Sequence, residues 1–314
     1  MELIKNKRGI FFTALVLAML SLFVITYSFS NFSDERKTVQ KRVETMNNFL
    51  FSLEEDMPRQ IFIFGFRTIF LAEREIIESG NYIPNIDSLV NEAFFIGTIN
   101  GDEEAILEGA TLDDLIQSIQ DKADKINVIV NLTDASMEIS QEDPWNVKFT
   151  LTAQLTMTDK SGLASWQKEE IIEAFVPIKN FDDPVYYVGT NGRVINKINK
   201  TIYNNFVSGS DVTNLSSHAE NSLYINNTDA PSFLDRLEGN ITASSPYGIE
   251  SIVNLEKLST QGVIAQQKSV IDHIYFSSQD PSWCKVAGMQ NWFRIDLDHE
   301  NLYEVPELTE NCET

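Results

Sequence analysis

The chain has 314 residues, of which 43% are hydrophobic and 11% aromatic, and its formal net charge is −22. This apolar content can bury the core of one large or two ordinary domains, and it excludes a disordered stalk. Residues 1–42 carry seven Lys/Arg against three Asp/Glu, so the acidic excess lies in the rest of the chain. Such an acidic surface repels nucleic acid and anionic lipid headgroups, and we expect neither as a partner.

The N-terminal segment joins a basic flank to a long uncharged run. Lys5, Lys7 and Arg8 precede the stretch from Ile10 to Phe29, in which every residue is apolar, small or hydroxylated. At about 1.5 Å per residue this stretch reaches roughly 30 Å, the thickness of the bilayer hydrocarbon. A cleavable secretory signal has a shorter apolar centre and a small-residue cleavage site. The pattern therefore predicts a retained transmembrane helix over residues 10–32.

The flanking charges predict the topology. Positive residues before a membrane helix stay in the cytoplasm, so residues 1–9 are expected to form a cytoplasmic basic leader. No second long apolar run follows in the sequence, and the remainder is expected to be extracytoplasmic. We predict a single-pass protein of the cell membrane, with the membrane as its first partner.

Apolar periodicity continues beyond the membrane run. Residues recur at alternating steps of three and four, which predicts a helix-packing seam at Val39, Val43, Met46, Leu50 and Leu53. Charged residues lie between them, and no Gly or Pro intrudes before Pro58. We expect the helix to continue outside the membrane over residues 33–57. An anchor with a simple helical stalk gives the same pattern.

A short basic leader ending in Gly9, followed by an apolar stretch that continues into an amphipathic helix, resembles the type IV pilin family. The likeness is to archaeal pilin-like proteins with class III signal peptides, and it covers about the first 55 residues. The resemblance implies that a prepilin peptidase cuts between Gly9 and Ile10. It also implies that the retained helix packs with copies of itself or with other pilin subunits.

The rest of the chain is predicted to be α+β. Helical periodicity occupies 59–79 and 111–126, the second with a capping Thr111, and alternating strands follow at 126–133, 146–159 and 166–178. We expect a head of helix and antiparallel sheet over 58–180, with the long N-terminal helix packed against the sheet. The pilin resemblance implies the same arrangement.

A further mixed α/β region is predicted over residues 181–314. The stretches 213–224, 230–239 and 248–262 are expected to form short helices, with Pro231 in a first helical turn and Gly239 past a helix end. Strands are expected at 269–278 and 291–305.

Covalent features agree with an exterior location. Cys284 and Cys312 predict one disulfide, which can add about 3 kcal/mol, although two unpaired thiols are the alternative. Glycosylation sequons lie at Asn31, Asn131, Asn199, Asn214, Asn226 and Asn240.

No catalytic motif stands out, so we expect no enzyme activity and no cofactor. His218, His273 and His299 lie in no recognisable catalytic or zinc spacing, and we interpret His273 as a packed histidine, with no metal site. An acidic run can also be read as a calcium loop, with possible ligands at Asp296, Asp298, Glu300, Glu304 and Glu307, although a plain acidic strand and turn is favoured.

Two functions remain open from the sequence. The first is a pilin-like cell-surface protein that joins or primes a type IV pilus-like filament. The second is a monomeric, membrane-anchored binding module or adhesin.

Overall fold

The computed structural model describes residues 7–313, without the side chains of residues 7–10 and 29–35. The α-helices are α1 (Lys7–Ser79), α2 (Ile86–Phe95), α3 (Leu112–Asp124), α4 (Pro184–Gly189), α5 (Thr213–Glu220), α6 (Phe233–Glu238), α7 (Leu255–Thr260) and α8 (Asp272–Tyr275). The strands are β1 (Thr98–Ile99), β2 (Asp102–Glu103), β3 (Val128–Asp143), β4 (Asn146–Asp159), β5 (Ser165–Pro177), β6 (Tyr224–Asn226), β7 (Ile249–Ser251), β8 (Trp283–Val286), β9 (Ile295–Asp296) and β10 (Thr309–Glu313). The protein is therefore a mixed α and β structure with antiparallel sheets.

Helix α1 runs through Pro58 without a break. We expected the helix to end before Pro58 and a second helix to begin after it, and this expectation is wrong. Proline inside a helix costs about 3 kcal/mol because it lacks an N–H and crowds the preceding turn. The apolar residues on either side, Leu53, Met57 and Ile61, are all buried. Tertiary packing of this kind outweighs a local helix preference.

The chain divides into two compact units. The first consists of the chain up to Asp56 with Ile116–Thr133 and Gln154–Glu169, and the second consists of Met57–Leu115, Asp134–Ala153 and Glu170–Thr314. Both units are assembled from segments distant in sequence, whereas the sequence suggested consecutive segments with a boundary near residue 180.

In the first unit, ion pairs join α1 to the other segments. Arg42 pairs with Asp159, and its guanidinium also donates to the carbonyl of Asn127 at 2.7 Å. Further along the helix, the Asp56 carboxylate lies 2.5 Å from the Lys122 ammonium. These contacts attach the helix just beyond its exposed section to α3 and to the strand ends.

The predicted meander is present as a three-stranded sheet in the order β3-β4-β5. Every second residue of β4 is buried, from Val147 to Asp159. The link from β3 to β4 is Pro144–Trp145, and such a short connection joins antiparallel strands. The alternation predicted for this stretch is thus confirmed.

Helix α3 confirms another prediction, including its cap. The Thr111 hydroxyl accepts from the backbone N–H of Asp114, and the Asp114 carboxylate accepts from the N–H of Thr111 at 3.1 Å. This reciprocal pair satisfies two N–H groups that the helix itself leaves free.

In the second unit, an aromatic core forms around Phe64 of α1. Its ring lies 4.9 Å from Phe94 and 5.9 Å from Phe149, centroid to centroid, in edge-on arrangements. Gly65 makes this approach possible, because a Cβ at this position would lie 2.6 Å from Phe149 and 3.0 Å from Val176.

The C-terminal part of the second unit contains short elements around a separate apolar core. Its small sheets are β6-β7 and β10-β8-β9, and the bond between Cys284 and Cys312 joins β8 to β10. Helix α6 begins at Phe233 with Ser232 as its cap, so Pro231 precedes the helix instead of lying in its first turn. Gly239 ends the helix with a φ of 74°, as predicted.

Three predictions in this region are wrong. The segment 269–278 contains the short helix α8, and only Ile295–Asp296 of the segment 291–305 is a strand. The segment 248–262, predicted to be a helix, begins with strand β7 and is helical only in α7. For the segment 269–278 the reason is long-range. The Asp272 carboxylate accepts from the Ser251 hydroxyl at 2.7 Å and receives the Arg236 guanidinium, so this segment turns inward at Asp272. Local β preference yields to such tertiary contacts.

We expect Gly65→Leu to destabilise the protein by about 1–3 kcal/mol, because the added side chain overpacks the space taken by Phe149 and Val176. Arg59→Leu on the exposed part of the same helix is the matched control. Thermal unfolding of the full chain in detergent, followed by circular dichroism, measures both. Equal melting temperatures for the two variants would contradict this account of the core.

Candidate functional site

A buried cluster of titratable side chains lies in the C-terminal part of the second unit. It consists of Glu250, His273 and His299, whose nearest ligand atoms all lie within 4.8 Å of one another. The Oε2 atom of Glu250 lies 3.3 Å from His299 Nε2 and 3.5 Å from His273 Nε2. Glu250 is 0% exposed and both histidines are buried.

Three separate elements position these residues. Glu250 is the central residue of β7 and faces Ile225 of β6 in the sheet register. His273 is the second residue of α8, and His299 lies in the turn after β9. A hydrogen bond of 2.7 Å from Val253 N–H to the Val270 carbonyl brings the chain after β7 beside the chain that enters α8.

Carboxylates hold the His299 ring on both sides. Its Nδ1 lies 2.6 Å from Asp296 Oδ1, and the other Asp296 oxygen accepts from Ser269 at 2.6 Å. Burial disfavours a charged imidazole, but hydrogen bonds and charges from Asp296 and Glu250 prevail and raise the pKa of His299 to about 10. Burial likewise opposes ionisation of Glu250, yet the two histidines hold the pKa of that carboxyl well below its usual range.

Hydrogen bonding in the cluster is incomplete. Asn227 donates to Glu250 Oε2 at 2.5 Å. Within the described part of the chain, Glu250 Oε1, His273 Nε2 and the Tyr303 hydroxyl are buried and have no hydrogen-bond partner. Buried polar atoms are almost always paired, so three unpaired ones in a single region call for an explanation. The two imidazoles and the carboxylate are the described groups able to hold a metal ion.

A buried guanidinium is hydrogen-bonded to the elements that carry two residues of the cluster. Arg236 of α6 is 0% exposed, and its two terminal nitrogens lie 2.6 Å from Asp183 and 3.1 Å from Asp272. The Tyr224 hydroxyl donates to Asp183 at 2.7 Å. Two carboxylates around one guanidinium form the charge-assisted arrangement that a buried arginine requires.

Strand β7 and helix α8 each carry residues of both the cluster and the hydrogen-bond network around Arg236. Strand β7 supplies Glu250 to the cluster and Ser251 to Asp272, and α8 supplies His273 to the cluster and Asp272 to Arg236. Arg236 therefore fixes the backbone from which Glu250 and His273 project.

His218 differs from the other histidines. Its ring packs against Phe206 and Tyr303, with centroids 4.8 and 5.8 Å away. Burial lowers the pKa of His218 to about 4, so it is neutral at ordinary pH. It is a packed core histidine.

The structure places the other predicted site residues as follows. Gly9 and Ile10 lie in the first turns of α1, and the Asn31 side chain is outside the described residues. Asn199 is the half-buried sequon asparagine. Four others are exposed, namely Asn131, Asn214, Asn226 and Asn240.

Two carboxylates of the acidic run 296–307 are bound by protein donors. Asp296 is engaged by His299 and Ser269, and Glu304 accepts the backbone N–H groups of Phe206 and Val207 at 2.8 and 3.1 Å. Asp296 and Glu304 therefore already have protein partners.

Sequence reasoning missed the cluster. Glu250, His273 and His299 are far apart in sequence, and no short motif contains two of them. The one available signal was a pair of histidines each next to an aspartate, Asp272–His273 and Asp298–His299. The second of these pairs misleads, since the aspartate that contacts His299 is Asp296.

Arg236→Leu is expected to reduce the free energy of unfolding by about 3–5 kcal/mol, because Asp183 and Asp272 would remain buried without their counter-charge. Arg193→Leu, at an exposed arginine, should cost about 1 kcal/mol or less, the value of its hydrogen bond to the Gly262 carbonyl. Chemical denaturation of the two variants gives the comparison. Similar losses in both would show that the buried network does not hold this region together.

Comparison of the chain with family models, with curated proteins and with solved structures found no match.

Proposed function

We propose that the chain is a non-enzymatic, pilin-like cell-surface protein that uses α1 both as its membrane anchor and as its assembly surface. In this proposal residues 1–9 are a cytoplasmic leader removed by a prepilin peptidase before Ile10. The folded part lies outside the cell, and the helix continues from the membrane as a stalk packed on the sheet of the head. The helix joins or primes a type IV pilus-like filament through contacts with copies of itself or with other pilin subunits.

The observation that carries the proposal is an abrupt change in burial along the predicted seam. Val39 and Val43 are 37% and 36% exposed, whereas Met46 is 0% exposed and Leu50 and Leu53 are buried. The described chain thus buries the seam from Met46 onward and leaves Val39 and Val43 each about one-third exposed. Exposed apolar surface is unfavourable by roughly 25 cal/mol per Å², which favours a covering partner.

The part of α1 that precedes the seam supports the same proposal. Phe11–Ser28 is an 18-residue stretch long and apolar enough to cross a membrane, and none of it is buried by the rest of the described chain. By itself it is a candidate membrane span or signal segment. Lipid or neighbouring apolar helices are the surroundings that such a surface requires.

A groove in the second unit favours the alternative function of an anchored binding module. It has a volume of about 450 Å³, and its lining includes Trp145, Lys179 and Lys200. The Lys200 ammonium lies 5.1 Å from the centre of the Trp145 ring. Aromatic and cationic groups together suit an anionic or sugar-like ligand, and they are notable in a chain of net charge −22. A monomer with a ligand in this groove is the second candidate.

Variants along the seam distinguish its two parts. Val39→Asp and Val43→Asp should abolish self-association or filament entry and lower the melting temperature much less than Leu50→Asp or Leu53→Asp, because their side chains are partly exposed. Leu50→Asp and Leu53→Asp should also destabilise the folded protein by about 3 kcal/mol or more, because each buries an unpaired carboxylate. Native gel electrophoresis of membranes and thermal unfolding in detergent provide the two readouts.

Lys41→Asp is the matched control for the exposed positions. Lys41 is exposed and lies on the opposite side of the helix from Val39 and Val43, at 100° per residue. The Lys41→Asp substitution introduces the same carboxylate outside the seam and should leave assembly intact. Assembly that survives Val39→Asp and Val43→Asp would remove the filament role and leave the binding module.

A further inference from the structure

We propose that Glu250, His273 and His299 form a zinc site that ties together the C-terminal part of the second unit. Two neutral imidazoles and one carboxylate are a recurrent protein ligand set for this ion, with a fourth position left for water or another donor. The site is independent of the N-terminal helix and of its role in assembly.

The distances between ligand atoms suit the ion. Zinc bonds to imidazole nitrogen and carboxylate oxygen at about 2.0–2.2 Å, which places tetrahedral ligand atoms about 3.3 Å from one another. The two distances from Glu250 Oε2 to the histidine Nε2 atoms are 3.3 and 3.5 Å. All three ligand atoms lie within 4.8 Å of one another, so an ion between them needs only a small movement of the two rings.

The unpaired nitrogen of His273 has an explanation in a bound cation. His273 Nε2 is buried without a hydrogen-bond partner among the described residues, and the carboxylate oxygen nearest to it, Glu250 Oε2, also accepts from Asn227. A hydrogen bond of 3.5 Å would be too long to satisfy the imidazole, but the same spacing fits two ligands of one ion. A zinc ion held by His273 Nε2 and Glu250 Oε2 would pair the imidazole lone pair.

Asp296 completes the arrangement as a positioning residue. It contacts Nδ1 of His299 at 2.6 Å, on the side of the ring opposite to Nε2. A histidine that binds a metal through Nε2 commonly donates its Nδ1–H to a carboxylate, which fixes the tautomer and the ring orientation. Ser269 in turn donates to the second oxygen of Asp296 at 2.6 Å.

The chemistry of the donors selects a transition metal such as zinc over calcium or magnesium. Calcium and magnesium require mostly oxygen ligands, and this set has two nitrogens. The burial of all three side chains points to a structural ion, because a substrate would have little access to it. Its effect is to join β7, α8 and the turn after β9, which are distant in sequence.

A metal-free arrangement is the competing explanation. In it, a protonated His299 stays between Asp296 and Glu250 as a buried ion pair, and His273 Nε2 remains unpaired. Zinc binding separates the two cases, because an imidazolium has no lone pair at Nε2 to offer a metal.

The test uses the full chain in detergent, purified with a tag that contains no histidine and stripped of metal by a chelator. Titration with Zn²⁺ should show saturable binding of about one ion per chain and raise the melting temperature by about 4 °C at ~100-fold excess over Kd. Ca²⁺ and Mg²⁺ should do neither. Because Cys284 and Cys312 are bonded to each other, free thiols do not compete for zinc.

Three variants and one control locate the ion. Glu250→Gln and His273→Gln should abolish the zinc-dependent rise in melting temperature, and Asp296→Asn should keep the stoichiometry while weakening binding about 10–100-fold. His218→Gln, which alters a buried histidine outside the ligand set, should bind zinc as the unmodified chain does. Absence of saturable zinc binding to the unmodified chain overturns the proposal, whatever the folding of the variants. Unchanged affinity in Glu250→Gln and His273→Gln overturns it as well.

Discussion

Burial of the apolar side of α1 is the constraint on which the rest of the structure depends. In the first unit, Met46, Leu50 and Leu53 supply buried side chains, and in the second, Phe64 sits at the centre of an aromatic core. The same burial holds the helix together at Pro58, where local preference alone would end it. A helix with a continuous apolar stripe must be covered along its whole length. The described chain buries the seam residues from Met46 onward, although Phe51 and Phe66 of the same helix are 56% and 47% exposed.

The uncovered section gives the helix its proposed role. Apolar residues before Met46 would be unfavourable in water, and in the proposal a membrane and neighbouring helices cover them. In the proposal, the acidic remainder of the chain disfavours association through other surfaces. Assembly would therefore be directed to α1, in agreement with the resemblance of the N-terminal segment to pilins.

The C-terminal part of the second unit is stabilised in a different way, because its helices and strands are short. Elements of two to eight residues contribute little stability on their own. They are held by Arg236 and its two carboxylates, by the disulfide, and by the proposed zinc site. Each of these contacts joins segments that are distant in sequence, so the region is stabilised by cross-links more than by extended secondary structure.

Local features of the fold were predictable, and long-range ones were not. The cap of α3 and the alternation along β4 are encoded within a few neighbouring residues, and both were predicted. The passage through Pro58 and the turn inward at Asp272 depend on distant partners, so local patterns gave the wrong answer. The seam could be read from spacing alone, but which part of it is covered could not. The cluster of Glu250, His273 and His299 has no local signature because each residue comes from a different element.

The most direct test of the central claim is cysteine crosslinking in intact cells. The native cysteines are bonded to each other, so a single cysteine at Val39 or Val43 reports only on its own surroundings. The account predicts crosslinked dimers, homotypic or with another pilin subunit, from Val39→Cys and Val43→Cys. It predicts none from Lys41→Cys on the opposite side of the helix. Monomer alone from both seam positions, under conditions in which an unrelated membrane dimer crosslinks, would contradict assembly through α1.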